Sequence, residues 1–280
     1  MTVRAGVGRS GLPTLEIDGE FGSVTVYLHG AHVTSWRPAG GDEMLFVSEA
    51  ARFGEDESIR GGVPICFPQF AELGSLPMHG FAHVLPWEWT GRLDAGAALT
   101  LRDSDRTRAM WPHRFAATLG VTLAPRTLEL TFTVENLDEA PLSWSGTLHT
   151  FLALDARRAR LRGLGPAHYV DRGHGSRLTE DVEAELRIPG HTDRAYLDAG
   201  PQVEADDGRH RISVARTGFR DTVVWNPGPE TSGQFPDLGP SDHARFVCIE
   251  AAEVRAVTVP PGATWRGRQT LRARLPTAGG

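Results

Sequence analysis

Thr127-Leu-Glu-Leu-Thr-Phe-Thr-Val-Glu135 alternates polar and apolar residues without a break, so Leu128, Leu130, Phe132 and Val134 fall on one face of an extended chain. Successive strand side chains point to opposite sides, and the pattern predicts one face packed and the other in water. The same period recurs in Ser23-Val-Thr-Val-Tyr27 and in Arg209-His-Arg-Ile-Ser-Val-Ala215. Asp207-Gly208, between Pro201-Gln-Val-Glu204 and the last of these, is a hairpin signal. The 32 glycines and 19 prolines cut the rest of the chain into short pieces, which leaves little room for long helices. The chain reads as all-β and mostly antiparallel.

A length of 280 residues suits one large β domain, and no linker, repeat or low-complexity tract divides it, so residues 1–280 are expected to form a single unit. With 40% hydrophobic and 23% charged residues the chain can bury a core, which excludes disorder as its main state. All 29 basic side chains other than histidine are arginines. Lysine Schiff bases, lysine general bases and the P-loop lysine are thereby excluded. The net charge is −6 and no basic run is dense enough for a nucleic-acid footprint, so DNA and RNA are not expected partners. Arg157, Arg158, Arg160 and Arg162 alternate with apolar residues at Ala159 and Leu161, as in a strand with one solvated face. Cys66 and Cys248 sit in apolar runs and read as buried free thiols. No signal-peptide pattern and no 18-residue apolar stretch is present, so a cytoplasmic protein without membrane contact is expected.

Five segments break the strand pattern and carry polar residues of chemical use: Ile59-Arg-Gly-Gly-Val-Pro-Ile-Cys-Phe-Pro68, Leu76-Pro-Met-His-Gly-Phe-Ala-His83, Ser145-Gly-Thr-Leu-His-Thr-Phe151, Asp221-Thr-Val-Val-Trp-Asn-Pro-Gly228 and Phe246-Val-Cys-Ile-Glu-Ala251. Alternation puts His149, Phe151 and Ala153 on one face, where an imidazole either packs or transfers protons near neutral pH. Glu250 ends an apolar run, and a carboxylate there either reaches solvent or is buried with a raised proton affinity. Arg60 precedes two glycines, a stiff setting for a guanidinium that recognises oxygen ligands or closes an internal ion pair. His79 and His83, like His29 and His32, have a spacing that some metal sites use, but Gly80 and the strand-like His83-Val-Leu85 speak against a helix, and no metal is expected. Trp36, Trp87, Trp89, Trp144 and Trp225 are core filler or sugar-stacking faces. The glycine-rich nucleotide loops and the nucleophile elbow of serine hydrolases are missing.

Together with Gly30-Ala-His-Val-Thr-Ser-Trp36 and Met110-Trp-Pro-His-Arg-Phe115, these segments resemble, in order and spacing, the aldose 1-epimerase superfamily, and within it the D-hexose-6-phosphate mutarotase branch. The resemblance spans nearly the whole chain. It implies a large antiparallel β-sandwich of the galactose-mutarotase type with a sugar cleft on a concave sheet. It also implies anomer interconversion without a cofactor, by a monomer acting on a small sugar or sugar phosphate. By the same resemblance His149 is the catalytic acid, Glu250 the catalytic base, and Asp193 in His191-Thr-Asp-Arg-Ala-Tyr196 a substrate contact. Arg60 and His79 are expected on the cleft loops, holding sugar oxygens or phosphate, with Arg52 or Arg194 as further candidates beside Arg60 for the phosphate.

One segment departs from that branch. Where it typically reads Gln-His-Gly-Phe-Ala-Arg, this chain has Met78-His-Gly-Phe-Ala-His83. Met78 removes an amide's donor and acceptor, and His83 exchanges a permanent cation for a group largely neutral at pH 7. The expectation is a hexose 6-phosphate mutarotase, with two alternatives open: a mutarotase for unphosphorylated aldoses, and a carbohydrate-binding protein without turnover.

Overall fold

The Thr127–Asn136 strand lies inside a nine-stranded sheet of the computed structural model, which describes residues 1–181 and 183–274. Every pairing in that sheet is antiparallel. Its strands run in the spatial order Glu185–Arg187, Arg160–Arg162, Gln202–Asp206, Arg211–Thr217, Thr264–Arg274, Thr127–Asn136, Phe115–Ala124, Gly96–Arg102 and Glu88–Leu93. As the alternation requires, Leu128, Leu130, Phe132 and Val134 are buried. Asp207-Gly208 turns the chain between Gln202–Asp206 and Arg211–Thr217, with the Asp207 carboxylate accepting the Arg209 and His210 N–H groups.

Against this sheet packs a second, eight-stranded one. Its path is Arg177–Asp181, Ala167–Asp171, Thr192–Leu197, Asp221–Asn226, Phe246–Val259, Leu142–Leu148 and Ile65–Cys66, and Phe151–Ala153 also pairs with Phe246–Val259. The layers interlock through aromatic rings: Trp144 of the second sheet lies 5.8 Å from Phe132 and 4.7 Å from Trp265 of the first. Burying each such ring is worth about 1.5–3 kcal/mol. A four-stranded sheet, Thr2–Val7, Pro13–Gly19, Gly22–Tyr27 and His32–Pro38, adds Leu15, Ile17, Val24, Val26 and Trp36 to the same core cluster. The α-helical pieces are short, Asp105–Met110 and Gly228–Thr231, and no helix among the described residues is long and apolar enough to cross a membrane.

The arginine run is a solvated face. Only Arg160–Arg162 is strand; Arg160 and Arg162 pair with Glu185 of the neighbouring strand, and Arg187 pairs with Glu185 within its own. Cys66 and Cys248 are buried free thiols. Trp36, Trp87 and Trp144 are core filler, whereas Trp225 is only partly buried.

Strand alternation determines what the second sheet offers on its two faces. In Phe246–Val259, Val247, Ile249 and Ala251 enter the interlayer core, while Phe246, Cys248, Glu250 and Ala252 project from the other side. That outer face is roofed by loops on glycine turns. Gly62 has φ 62°, and a side chain there would put its Cβ 2.3 Å from the Val33 carbonyl oxygen. The backbone after Arg60 thus runs tightly against the His32–Pro38 strand.

Candidate active site

Leu142–Leu148 and Phe151–Ala153 both pair with Phe246–Val259, one after the other, and His149 stands in the gap between them. Its N–H donates to the Pro64 carbonyl, and its ring stacks on Phe151 at 4.8 Å and meets Trp225 edge-on at 5.7 Å. His149 and Phe151 therefore share a face, as alternation predicts. Glu250, 1% exposed, projects from the neighbouring strand on that face, and its Oε1 lies 3.3 Å from His149 Nδ1 without hydrogen-bond alignment. Thr147, one step before His149 on the same side, donates its hydroxyl to Glu250 Oε2 at 3.0 Å.

Burial dominates the proton affinities of the pair. It pushes the Glu250 carboxyl well above the usual carboxylate range, with the Asp193 charge adding to the rise and Thr147 and Arg172 opposing it. It holds His149 well below the usual imidazole range, helped by the positive fields of His79 and Arg60. Burial thus disfavours the charged form of both groups while setting a carboxyl and an imidazole side by side.

His79 sits beside this pair, its ring centroid 5.7 Å from that of His149. It adopts φ 66°, unusual for a residue with a side chain, and the strain is sustained by bonds on three sides. Its N–H donates to the Ala71 carbonyl, its own carbonyl accepts from Phe67 N–H, and Nδ1 accepts from Ala71 N–H at 3.2 Å. Burial lowers its pKa to about 4. The neutral ring must therefore carry its proton on Nε2, ready to donate to an oxygen ligand.

Arg60 donates from Nε to Asp237 Oδ2 at 3.1 Å, and its guanidinium carbon lies 5.1 Å from the centroid of the Phe235 ring. Both partners come from the loop after Asp221–Asn226, which Asn226 ties off by donating to the His243 and Phe246 carbonyls. Arg60 is thus in an internal ion pair, and its field also reaches His79, His83 and His149. Asp193 projects from Thr192–Leu197 on the same outer face as Ala195, and burial raises its pKa.

The remaining expected residues behave differently. Met78 is 62% exposed, outside the cluster. His83 is in a single 3-10 turn, Ala82–Val84, and not in extended chain as expected: Gly80, at φ 72°, reverses the backbone, and Val84 N–H bonds back to the Phe81 carbonyl. Its ring meets His79 edge-on at 6.5 Å, and burial lowers its pKa to about 3, so it is neutral at pH 7. His29 and His32 do structural work, donating from Nε2 to the Glu57 and Gly61 carbonyls on either side of Arg60. Arg52 pairs with Glu57 on the surface, and Arg194 lies over Tyr169 on the far side of its strand from Asp193. Among the described residues no three His, Cys, Asp or Glu side chains converge as metal ligands.

Two participants were not anticipated. Thr147 was within reach of sequence reading, because alternation puts it on the face of His149. Arg172 was not. It follows the Ala167–Asp171 strand, belongs to no motif, and reaches the site through Asp193, with Nε 3.4 Å from Oδ1.

The aldose 1-epimerase family model matches residues 13–272 of the chain. Among curated relatives, a protein of Cenchrus ciliaris provisionally named glucose-6-phosphate 1-epimerase is 34% identical over 265 residues, covering 89% of this chain and 80% of the relative. One of the same provisional name from Escherichia coli K12 is 34% identical over 245 residues, covering 82% of this chain and 81% of the relative. Among solved structures, YeaD of Salmonella typhimurium, described provisionally as a mutarotase, superposes with a TM-score of 0.87 at 26% identity, covering 98% of this chain and 97% of that one. Galactose 1-epimerase from Lactobacillus acidophilus NCFM shares the fold, with a TM-score of 0.70 at 15% identity and 98% of both chains covered.

Proposed function

The chain belongs to the aldose 1-epimerase family, and on that premise we propose that it is a mutarotase acting on a hexose 6-phosphate through His149 and Glu250. The observation that carries this reading is the 3.3 Å approach of His149 Nδ1 to the buried Glu250 Oε1. Glu250 takes the proton of the C1 hydroxyl while His149 gives one to the ring oxygen. The C1–O5 bond breaks, C1 becomes an aldehyde, and rotation about C1–C2 presents its other face. On reclosure the C5 hydroxyl attacks C1, His149 recovers its proton from that hydroxyl and Glu250 returns its own to the new C1 oxygen. Atoms and charges balance without a cofactor, and one donor and one acceptor are all the chemistry requires.

Surrounding groups fit this assignment. His79 Nε2–H and the Asp193 carboxylate hold sugar hydroxyls, while Arg60 holds the phosphate. The ring opens from the state with Glu250 ionised and His149 protonated, the reverse of what burial favours at both residues, so bound substrate has to supply the charges that reverse it. The carbohydrate-binding alternative leaves a buried carboxyl–imidazole pair without a use.

A second reading, mutarotation of unphosphorylated aldoses, is favoured by the neutral, buried His83 and the exposed Met78, where the branch typically has arginine and glutamine. Anomer exchange of glucose 6-phosphate, glucose and galactose, followed by NMR or polarimetry, decides between them. The expected result is faster exchange with the phosphate ester. Equal rates with and without phosphate would sink the hexose 6-phosphate reading, and no acceleration of any aldose would sink mutarotation itself.

A further inference from the structure

Arg172 makes contacts that a surface arginine does not. Its side chain is 13% exposed and Nη2 grips Glu72 through both carboxylate oxygens, at 3.1 and 3.2 Å. Its guanidinium carbon lies 5.0 Å from the centroid of the Phe70 ring. Nε is buried without a hydrogen-bond acceptor, 3.4 Å from Asp193 Oδ1. The backbone N–H groups of Arg172 and Gly173 both donate to the Asp193 carbonyl, at 2.8 and 3.3 Å.

These contacts join two separate segments that both border the His149–Glu250 pair. Asp193 belongs to the eight-stranded sheet. Glu72 and Phe70 belong to loop 69–79, which also carries His79, whose ring Phe70 meets edge-on at 6.2 Å. That loop is closed on itself by the Gln69 amide, which donates to the Ala71 and Leu76 carbonyls and accepts from Leu76 N–H. Between loop and sheet, Arg172 is a charged bridge.

We infer that Arg172 is a positioning residue for the sugar: by clamping Glu72 on one side and Asp193 on the other, it fixes the distance between the Asp193 carboxylate and His79 and so determines how well a sugar is held. Arg172 acts through these residues and does not itself touch the reacting atoms. The inference rests on the mutarotase reading. Activity of the unaltered enzyme is therefore measured first, so that failure of that reading is separate from failure of this one.

The test compares Arg172→Gln, Arg172→Lys, Asp193→Asn and the double variant Arg172→Gln/Asp193→Asn by steady-state anomer exchange. Arg172→Gln is expected to raise KM on the order of tenfold, the usual loss when a hydrogen bond to a charged partner goes, with kcat within about threefold. Arg172→Lys, which keeps the charge but cannot span both carboxylates, falls between Arg172→Gln and wild type. The double variant is expected to show the KM of Asp193→Asn alone, because the two residues act as one unit. Fully additive KM effects, or an Arg172→Gln effect confined to kcat, would overturn the inference. Should Arg172→Gln not fold, the Arg172→Lys arm decides alone: wild-type KM overturns the proposal and a raised KM supports it.

Discussion

At the scale of single residues, the site is defined by two groups whose environment works against their charged forms. Glu250 and His149 would each be unremarkable in water. Side by side and buried, both are pushed toward their neutral forms, and on the proposed mechanism each needs the other as its partner in proton transfer. His149→Asn is expected to lower kcat by about 10²–10⁴-fold, the range for loss of a positioned proton donor, while sugar binding measured by calorimetry persists. An unchanged rate of anomer exchange would refute the proton-transfer assignment. Both residues were picked out in the sequence as candidates, His149 by the alternation through Phe151 and Glu250 as a carboxylate closing an apolar run, and their proposed roles came from the family resemblance. The period also places Thr147 beside them. Arg172 and Glu72 were not legible, since they meet only when loop 69–79 and the turn after Asp171 are brought together, a contact across 100 residues with no local pattern.

At the scale of elements, Glu250 and Asp193 project from strands, while His149, His79 and Arg60 stand on connections between them. The period-two reading found the strands because a half-buried sheet writes its two faces into alternate residues. It misjudged His83-Val-Leu85, where local composition looked extended but the glycine turn before it imposed a helical turn. Gly80 is the hinge of that element. A Cβ there would lie 2.3 Å from the Phe67 carbonyl oxygen at a backbone angle of 72°, so a side chain forces the His79–Phe81 backbone away from Phe67. Gly80→Ala is expected to cost about 2 kcal/mol or more, which for a chain of this size lowers Tm by about 4 °C or more. Calorimetry checks the first effect, and a rise in KM the displacement of His79. A Tm within a degree of wild type would show that the turn relaxes freely.

At the scale of the whole molecule, the cluster of neutral histidines ties stability to pH. His32 and His79 each have a pKa near 4 in the folded chain, against 6.5 for the free side chain, because burial disfavours the imidazolium. A lowered folded value means that the unfolded chain binds protons first as pH falls. Stability is therefore full above about pH 6.5 and declines between there and pH 4. For His32, which is fully buried, the loss amounts to about 3 kcal/mol across that window. Urea unfolding at pH 7 and pH 4.5 measures it, and His32→Gln, which can still donate to the Gly61 carbonyl, should show a shallower decline. Equal slopes in both proteins would place the acid sensitivity elsewhere. The Phe246–Val259 strand has a consequence of another kind. Because Val247, Ile249 and Ala251 anchor in the interlayer seam while Glu250 projects from the other face, the carboxylate proposed as base cannot shift without unsettling the interior. Loop 69–79 and the loop that holds Phe235 and Asp237 are fastened by polar contacts of their own, through Gln69 and Arg172 in one and Asn226 and Arg60 in the other. On the proposed function, sugar preference would change through those contacts while the base stays where the core puts it.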